Sequence, residues 1–345
     1  MNLRDGYILV TGGAGYIGSH TIVALMQKGY DRIVSLDNYL NSRPRTYDLI
    51  EAITGRRPEI IEASVGDRKT VAHLMRRFEP VGIIHFAALK AVGESMEQPY
   101  RYLQNNLADM QVFLEEVYRT ARPLFIFSSS CTVYGEVTNL PVYEQTPRQP
   151  AQSVYGLTKQ LGEDLLDGLC RLGFTGPVVA LRYFNPVGAY PDGRLGEWPL
   201  GTPNNLVPLI CQTAAGLRPF LTIHGKDYPT RDGTCIRDYV HVMDIAEAHV
   251  QALEYADRYR PQTMEIFNLG TGHGVSVLEA IRAFEEVNNL KLPYKIGPRR
   301  VGDVTAVYSD STKAERLLGW KPRFNLHDMM RSAWLWQQRL NQEAL

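Results

Sequence analysis

The sequence of 345 residues has few features that would indicate a metal, a disulfide framework or a highly charged partner. Its four cysteines are scattered, with no CxxC pair and no grouping with histidine; they are Cys131, Cys170, Cys211 and Cys235. Zinc and disulfides are therefore not expected, whereas reduced thiols in a cytosolic enzyme are. Lysine and arginine together number 37, as do aspartate and glutamate. This balance excludes a bulk field that would recruit nucleic acid or an anionic membrane.

Long apolar runs are also missing. The first apolar run of the chain, Tyr7–Val10, is too short for the core of a signal peptide or for a membrane span, so the cytoplasm is the expected location. A hydrophobic fraction of 44% and a charged fraction of 21% are ordinary for a globular protein. The length favours two domains, or one large domain with an elaborated lobe.

Short apolar runs alternate with helical periodicity through the first half of the chain. The predicted strands are Tyr7–Val10, Arg32–Leu36, Ile60–Ser64, Gly82–Ala87, Leu124–Ser128 and Val178–Tyr183, and the predicted helices are Ser19–Gly29, Thr70–Phe78, Pro99–Thr120 and Ser153–Leu172. Continuous apolar strands separated by helices are typical of a parallel sheet covered on both faces. The predicted fold is therefore α/β, a Rossmann-like doubly wound parallel sheet.

A glycine-rich turn follows the first predicted strand and opens the first predicted helix. Its glycines can be grouped as GxGxxG (Gly13, Gly15, Gly18) or as GxxGxxG (Gly12, Gly15, Gly18), the second being the spacing of short-chain dehydrogenases. Glycine permits positive φ and lets the backbone approach a pyrophosphate, and the helix N-terminus directs its N–H groups at the phosphates. The turn therefore predicts a dinucleotide site.

Asp37 ends the second predicted strand, about 20 residues after the last glycine. A carboxylate at this place hydrogen-bonds the ribose hydroxyls of NAD and repels the 2′-phosphate of NADP. Asn38 follows, and no arginine stands immediately beside Asp37 to accept a phosphate. The sequence favours NAD over NADP.

The composition of the chain changes after residue 184. Proline and glycine are dense from Asn185 to Gly233, although Leu206–Ala214 keeps an apolar helical stripe, and Ile266–Leu269 resembles a strand that returns to the sheet. We therefore predict a dinucleotide-binding domain over 1–184 and a smaller C-terminal substrate-binding lobe over 185–345. A segment near 234–272 is predicted to return to the main sheet.

Tyr155 and Lys159 form a YxxxK pair on a predicted helix, where the i, i+4 spacing places both side chains on one face. A lysine ammonium favours the phenolate of a neighbouring tyrosine, which is otherwise a poor base because its pKa is about 10. Ser128–Ser130 lie at the end of the fifth predicted strand, where ligands bind in open α/β sheets. Together the residues predict proton transfer at a substrate hydroxyl.

The sequence resembles the UDP-glucose 4-epimerase family of extended short-chain dehydrogenases over essentially the whole chain. The blocks that carry the resemblance are Val10–His20, Phe86–Ser95, Ser128–Gly135, the YxxxK pair, Leu181–Ala189, Pro203–Leu206 and Arg237–Val242. The later blocks are much more specific than the glycine turn. One departure is Arg68, which stands where the family usually has a small apolar residue, so the detail of the adenine pocket stays open.

The resemblance implies a set of site residues. The catalytic residues would be Ser130, Tyr155 and Lys159. NAD would be contacted by Gly12, Gly15, Tyr16, Ile17, Gly18, Asp37, Asn38, Asp67, Phe86, Ala87, Lys90, Asn105, Ser130, Tyr155, Lys159 and Phe184. The UDP-sugar would be contacted by Lys90, Ser130, Tyr155, Asn185, Asn205, Leu206, Arg237, Arg300, Asp303 and Val307. The guanidinium groups of Arg237 and Arg300 are planar, permanently charged donors suited to a diphosphate.

The family mechanism implies the activity. Tyr155 would take the proton of the sugar 4-hydroxyl while the C4 hydride passes to tightly bound NAD, and the 4-keto sugar would turn before both return, so that UDP-glucose and UDP-galactose interconvert. UDP would supply the binding energy that retains the keto sugar. The family also implies a homodimer formed by the helices that correspond to Pro99–Thr120 and Ser153–Leu172.

Val307 aligns with the family position where a bulky aromatic side chain excludes N-acetylated sugars and a small one admits them. An acetamido group needs volume that a tyrosine ring would fill, whereas valine leaves only a stiff, β-branched stub. Weaker activity on UDP-N-acetylhexosamines is therefore expected, unless Tyr308 or a neighbouring loop closes the same space.

Two alternatives share the fold. A nucleotide-sugar 4,6-dehydratase needs an Asp-Glu pair after the serine or threonine, but Cys131 and Thr132 occupy those places. A non-catalytic dinucleotide-sensing regulator would keep the glycine turn without needing Ser130, Tyr155 and Lys159 together. A 4-epimerase of another sugar stays open. His85, on an apolar strand, and the tryptophans Trp334 and Trp336 are expected to have packing roles.

Overall fold

The computed structural model describes residues 3–300 and 303–343. The strands are β1 (Ile8–Thr11), β2 (Ile33–Asp37), β3 (Glu59–Glu62), β4 (Gly82–His85), β5 (Leu124–Ser130), β6 (Val178–Tyr183), β7 (Asn185–Val187), β8 (Leu221–His224), β9 (Ile236–His241), β10 (Glu265–Leu269), β11 (Gly274–Ser276), β12 (Tyr294–Gly297) and β13 (Ala306–Val307). The helices are α1 (Tyr16–Gln27), α2 (Thr46–Thr54), α3 (Arg68–Phe78), α4 (Val92–Glu97), α5 (Pro99–Leu103), α6 (Asp109–Thr120), α7 (Val154–Arg171), α8 (Leu206–Ala214), α9 (Val242–Tyr259), α10 (Val277–Asn288), α11 (Thr312–Leu318) and α12 (Leu326–Glu343).

The central sheet is parallel and has the order β10-β6-β5-β4-β1-β2-β3. Its inner strands β1, β2, β4, β5 and β6 are buried on both faces because successive side chains alternate between two hydrophobic clusters, whereas the edge strand β3 is partly exposed. Ile8 and Val10 of β1 face a cluster that includes α1 and α9, whereas Leu9 faces one that includes α3 and α6. The predicted Rossmann-like, doubly wound α/β fold is confirmed.

The strand order reverses between β1 and β4. The chain runs from β1 outwards through β2 and β3, then crosses back so that β4 pairs with the other edge of β1, with Thr11 beside His85. At such a switch point the connections leave in opposite directions and open a crevice at the carboxyl ends of the two strands. The glycine turn follows β1 and the Phe86 segment follows β4, so both border this crevice.

The second half of the chain builds a smaller lobe. A four-stranded sheet unites β11, β9, β13 and β7, a two-stranded sheet unites β12 and β8, and α8, α10 and α12 share a separate hydrophobic cluster. Within 234–272, β10 pairs with β6 and α9 packs against α1 and the main sheet, but β9 belongs to the small sheet. Only part of that segment therefore returns to the main sheet, and the domain boundary at 184/185 stays a prediction.

The predicted helix Pro99–Thr120 is interrupted. A π-helical turn, Gln104–Ala108, separates α5 from α6. The turn carries buried Asn106, whose amide accepts from Leu89 N at 2.8 Å and donates to Leu89 O at 2.9 Å and to Thr158 Oγ1 at 3.1 Å. Such wide turns in helices are common at functional sites. Here the turn ties the segment after β4 to α7.

The described residues also show where the remaining residues singled out in the sequence lie. His85 is buried with Nδ1 2.9 Å from Thr11 Oγ1, Trp336 is buried, and Trp334 packs edge-on against Phe284. Across the described part of the chain, no helix has both the length and the apolar character to cross a bilayer. The same residues contain no group of three or more His, Cys, Asp or Glu side chains that could hold a metal ion, and the four cysteines are free.

Candidate active site

The glycine turn has the geometry of a phosphate cradle. Gly12 has a φ of +71°, and a Cβ there would lie 2.9 Å from Ala87 N, so any other residue would be strained and would block the crevice. Gly15 is the N-cap of α1 and has no side chain to occupy the first amide groups of the helix. Gly18 packs against the Gly12 carbonyl. These observations fit a pyrophosphate held by backbone N–H groups beside Tyr16 and Ile17.

Asp37 lies at the end of β2 and is nearly buried. Its Oδ2 accepts from Ala14 N at 2.9 Å, and its Oδ1 accepts from Tyr39 N at 2.9 Å and Ser42 Oγ at 2.8 Å. A carboxylate has about four accepting sites, so these three bonds leave room for a further donor. The carboxylate therefore also fixes the glycine turn relative to β2, a second role that the sequence did not predict.

The remaining residues predicted to contact NAD lie after strands of the main sheet or in the π-helical turn. Phe86 and Ala87 follow β4 and donate their N–H groups to Thr11, to its carbonyl at 3.0 Å and its hydroxyl at 3.3 Å respectively. Phe184 is buried after β6. Asn105 lies in the π-helical turn and donates to Asn106 Oδ1 at 2.9 Å.

Two further residues of this set, Asn38 and Asp67, are exposed and follow β2 and β3. Asn38 accepts from Leu40 N at 3.1 Å, and Asp67 caps α3 by accepting from Lys69 N at 3.1 Å and Thr70 N at 3.2 Å. Arg68, the departure from the family pattern, points to α6 instead, where it binds Glu115 and Glu116 at 2.5 Å each. The guanidinium is therefore held by carboxylates rather than by an adenine pocket.

Ser130, Tyr155 and Lys159 are brought together at the carboxyl end of β5. Ser130 ends β5, while Tyr155 and Lys159 lie in the first turns of α7, whose N-cap Ser153 accepts from Gly156 N at 3.1 Å. Lys159 Nζ is 5.8 Å from the centre of the Tyr155 ring and donates to Ser128 O at 2.7 Å. The structure therefore brings the three predicted catalytic residues together, with Ser130 and Lys159 buried and Tyr155 partly exposed.

Burial dominates the protonation of this group. It raises the pKa of Tyr155 to about 12, although the hydrogen bond with Ser130 acts in the opposite direction. Burial also lowers the pKa of Lys159 to about 8, against the pull of Glu163. The direction for Tyr155 is opposite to that expected from the lysine alone. At neutral pH the pair is a neutral phenol beside a largely protonated ammonium.

Glu163 supports the constellation from one helical turn below Lys159. Its carboxylate accepts from Arg182 Nε at 2.9 Å and Nη2 at 2.6 Å, and from Ser129 Oγ at 2.5 Å. The same helix is also held by Thr158, through its bond with Asn106. Glu163 could be found from the sequence as the i+4 neighbour of Lys159, whereas Asn106 leaves no local signal because its partners are 17 and 52 residues away.

Three of the residues predicted to bind the UDP-sugar form an ionic cluster on the small lobe. Asp303 Oδ1 lies 3.3 Å from Arg237 Nη2 and 2.9 Å from Arg300 Nη2, and its Oδ2 lies 3.1 Å from Arg300 Nε. Arg237 is anchored by Ile236 O and Val304 O, and Arg300 is half-exposed. Two guanidinium groups thus converge on one carboxylate.

The other predicted substrate residues lie on elements of the small lobe. Asn185 begins β7, Asn205 is the N-cap of α8, and Leu206 is the first residue of α8. Val307 is buried on β13 and in register with Arg237 on β9, so the two side chains share a face of the small sheet.

Lys90 and Asn205 meet on a residue that the sequence analysis missed. Glu197 Oε1 accepts from Lys90 Nζ at 2.7 Å and from Asn205 Nδ2 at 3.0 Å. Glu197 lies in the proline- and glycine-rich stretch, where no periodicity marks a buried carboxylate. The only local sequence feature that sets Glu197 apart is that it stands between two apolar pairs, Leu195-Gly196 and Trp198-Pro199.

Cys131 and Thr132 stand where a 4,6-dehydratase needs carboxylates. Burial raises the pKa of the Cys131 thiol to about 12, so the thiol is no acid or base at neutral pH. Thr132 Oγ1 is buried and has no hydrogen-bond partner among the described residues. Neither group can supply the acid–base pair for eliminating water.

The family model that matches residues 9–333 is described as GDP-mannose 4,6 dehydratase. UDP-glucose 4-epimerase from Drosophila melanogaster is 43% identical over 338 residues, which cover 96% of this chain and 96% of that relative.

Two solved structures are also similar. UDP-glucose 4-epimerase from Stenotrophomonas maltophila, with bound NAD and formylated UDP-arabinopyranose, superposes with a TM-score of 0.94 at 43% identity and covers 98% of this chain and 99% of that one. The UDP-Glc/GlcNAc 4-epimerase from Campylobacter jejuni has a TM-score of 0.81 at 36% identity and covers 97% and 99%. The resemblance identified in the sequence is confirmed, and the chain belongs to the UDP-glucose 4-epimerase family of extended short-chain dehydrogenases.

Proposed function

We propose that this chain is an NAD-dependent epimerase that interconverts UDP-glucose and UDP-galactose by inversion at C4 of the sugar, through a 4-keto intermediate. The observation that carries the proposal is the group of Ser130, Tyr155 and Lys159 at the carboxyl end of β5, the strand that pairs with β4 beside the crevice at the switch point. Full-length similarity to UDP-glucose 4-epimerases supports it.

The crevice fits NAD. The glycine turn at Gly12 and the uncapped start of α1 would hold the pyrophosphate, and Asp37 would accept from the adenosine ribose. When bound, NAD supplies a hydride acceptor for C4 of the sugar and returns the same hydride. Because NAD is regenerated in each cycle, it is a resident cofactor rather than a substrate.

Tyr155 is proposed as the group that takes and returns the proton of the sugar 4-hydroxyl. A phenol with a pKa of about 12 needs help to ionise, and the chain offers the Lys159 ammonium 5.8 Å from the ring and the N-terminal end of α7. Ser130, which hydrogen-bonds Tyr155, would share that proton with the substrate hydroxyl. The carbon-bound hydrogen leaves C4 with its electron pair, and the oxygen-bound proton moves to Tyr155.

Arg237 and Arg300 are proposed to bind the diphosphate of UDP. Asp303 holds both guanidinium groups on one carboxylate, so the donors are pre-assembled before a ligand arrives. Binding through this remote group would retain the keto sugar while it turns in the pocket.

Val307 is proposed to leave room at C2 of the sugar. It lies in register with Arg237, and its nearest aromatic neighbour in sequence, Tyr308, packs instead against Gly274 of β11, where a Cβ would lie 2.9 Å from Tyr308 Cδ1. This placement argues against Tyr308 closing the space beside Val307. Weaker turnover of UDP-N-acetylglucosamine is therefore part of the proposal, and the Campylobacter jejuni relative has a name that includes both sugars.

A homodimer is proposed through α5, α6 and α7. Tyr100 on α5 is 83% exposed, and Leu157 on α7 is exposed, which leaves apolar surface on the helices expected to pair. Sedimentation velocity of the wild type should give a dimer, whereas Leu157→Glu should shift it towards monomer. A wild-type monomer at micromolar concentration would refute the dimer.

The test of the activity is a product assay on the purified protein. UDP-galactose is added without NAD, and UDP-glucose is sought by ion-exchange chromatography. Inversion without added NAD is the expected result. Formation of a stable 4-keto-6-deoxy product would instead indicate a dehydratase, and no conversion even with added NAD would refute the proposed function.

A further inference from the structure

Glu197 joins two side chains that the family resemblance assigns to the ligands, Lys90 from the first half of the chain and Asn205 from the second. Its Oε1 accepts from Lys90 Nζ, on the segment after β4, and from Asn205 Nδ2, at the start of α8. The glutamate side chain is 13% exposed, whereas that of Lys90 is 48% exposed. A nearly buried carboxylate therefore holds a long, flexible cationic side chain, whose ammonium also lies over the Tyr16 ring, 5.6 Å from its centre.

The carboxylate is itself carried on backbone that other contacts fix. Trp336 Nε1 donates to Glu197 O at 2.9 Å, and the flanking Trp198 packs edge-on against Trp336 with ring centres 5.9 Å apart. Gly196 pairs with Ala189, and a Cβ at Gly196 would collide with the Trp336 ring. These contacts involve neither Lys90 nor Asn205, so the position of Glu197 does not depend on the groups it holds.

The hydrogen-bond inventory leaves both donors able to bind a ligand. An ammonium has three N–H groups and a carboxamide has two. Glu197 takes one from each, which leaves two on Lys90 and one on Asn205 for a second acceptor. A carboxylate that only competed with an anionic ligand would have no reason to bind both donors through one oxygen. A carboxylate that positions the two donors needs only one contact with each of them.

We infer that Glu197 is a positioning residue for the UDP-sugar: it presets Lys90 and Asn205 so that both donors face the crevice between the two lobes. The inference rests on the proposed function for the identity of the ligand. It predicts that Glu197 acts through these two donors, chiefly on binding of the nucleotide part, because contacts remote from C4 stabilise the ground state and the transition state alike.

The experiment compares Glu197→Ala and Glu197→Gln with wild type, all as NAD-loaded protein. Affinity for UDP is measured by calorimetry, and KM and kcat are measured with UDP-galactose. Glu197→Ala should weaken UDP binding about tenfold or more, which is the typical effect of losing hydrogen bonds to a charged group, and should raise KM with kcat within about threefold. Glu197→Gln keeps an accepting oxygen at the same place and should recover most of the affinity.

The controls separate positioning from charge and from folding. Glu59→Ala, at an exposed residue of the edge strand β3, removes the same charge elsewhere and should leave UDP affinity unchanged. In the backgrounds Lys90→Met and Asn205→Ala, a second change at Glu197 should cost much less than it does alone, because the donors it positions are gone. Thermal melting and the bound NAD content show whether each variant is folded and loaded.

Three results would overturn the inference. They are UDP affinity within twofold of wild type in Glu197→Ala, a loss in Glu197→Gln as large as in Glu197→Ala, and full additivity with both partner substitutions. Because UDP binding is read without turnover, failure of the wild type to epimerise UDP-galactose would remove the proposed function and leave the binding result to be judged separately.

Discussion

Four buried histidines should make the stability of the protein fall steeply in mild acid. Burial lowers the pKa of His20 and His249 to about 4, and that of His85 and His241 to about 3, from an ordinary value of 6.5. All four are neutral in the folded protein, and each gains a proton below pH 6.5 only when it unfolds. The unfolded state therefore binds more protons, and stability falls as pH drops from 6.5 towards the folded pKa values.

The magnitude follows from the size of the shifts. At pH 5 each histidine contributes a loss of about 2 kcal/mol relative to pH 8, since one pKa unit corresponds to about 1.4 kcal/mol. Asp244 acts in the opposite direction, because burial raises its pKa to about 6, and it offsets about 1 kcal/mol at pH 5. The net loss of about 6 to 7 kcal/mol is comparable with the whole stability of an ordinary domain.

Urea unfolding of the NAD-saturated protein at pH 8, 6 and 5 measures this effect. His249 is the residue to replace, since its Nε2 has no hydrogen-bond partner among the described residues. In His249→Leu the loss between pH 8 and pH 5 should be smaller by about 2 kcal/mol. His273→Gln, at an exposed position, should keep the wild-type pH dependence. A wild-type loss below about 2 kcal/mol in total would refute the reasoning from buried neutral histidines.

Three further predictions concern the site. Tyr155→Phe should lower kcat about 10²–10⁴-fold, as for a lost acid–base group, with NAD still bound; activity within a few-fold of wild type would show that Tyr155 is not the base. Asp37→Asn should weaken NAD binding and reduce discrimination against NADP in fluorescence titrations, and Asp37→Ala should also loosen the glycine turn that the carboxylate holds through Ala14 N; unchanged affinities for both dinucleotides would exclude Asp37 as the ribose reader. Val307→Tyr should abolish turnover of UDP-N-acetylglucosamine and spare UDP-galactose; a wild type without the N-acetyl activity at high enzyme concentration would contradict the open pocket.

The predicted strands of the first half were recovered because their signal is local. Tyr7–Val10 and Leu124–Ser128 are largely apolar runs bounded by glycine, proline or polar residues, and a strand buried on both faces requires that composition. The helix Pro99–Thr120 was wrong in detail, since nothing in its periodicity indicates the π-helical turn around Asn106. That turn depends on partners in Leu89 and Thr158, far away in sequence.

The second half was predicted only in part for the same reason. Strands of two to six residues such as β13 and β9 are defined by their pairing with each other, not by their own composition. Val307 could be singled out by the family pattern, but its register with Arg237 and the packing of Tyr308 on Gly274 appear only after the small sheet has formed.

The sequence by itself determined the sheet architecture, the glycine turn after β1, the spacing of Tyr155 and Lys159 on one helix face and the family. All of these are encoded within short windows, where steric freedom and periodicity act directly. The tertiary structure alone decided that burial raises the pKa of Tyr155, that Asp37 also holds the glycine turn, and that Glu197 joins Lys90 to Asn205. Desolvation and hydrogen bonding depend on which groups are neighbours in space. Those neighbours come from distant segments; Lys90 and Glu197 are 107 residues apart.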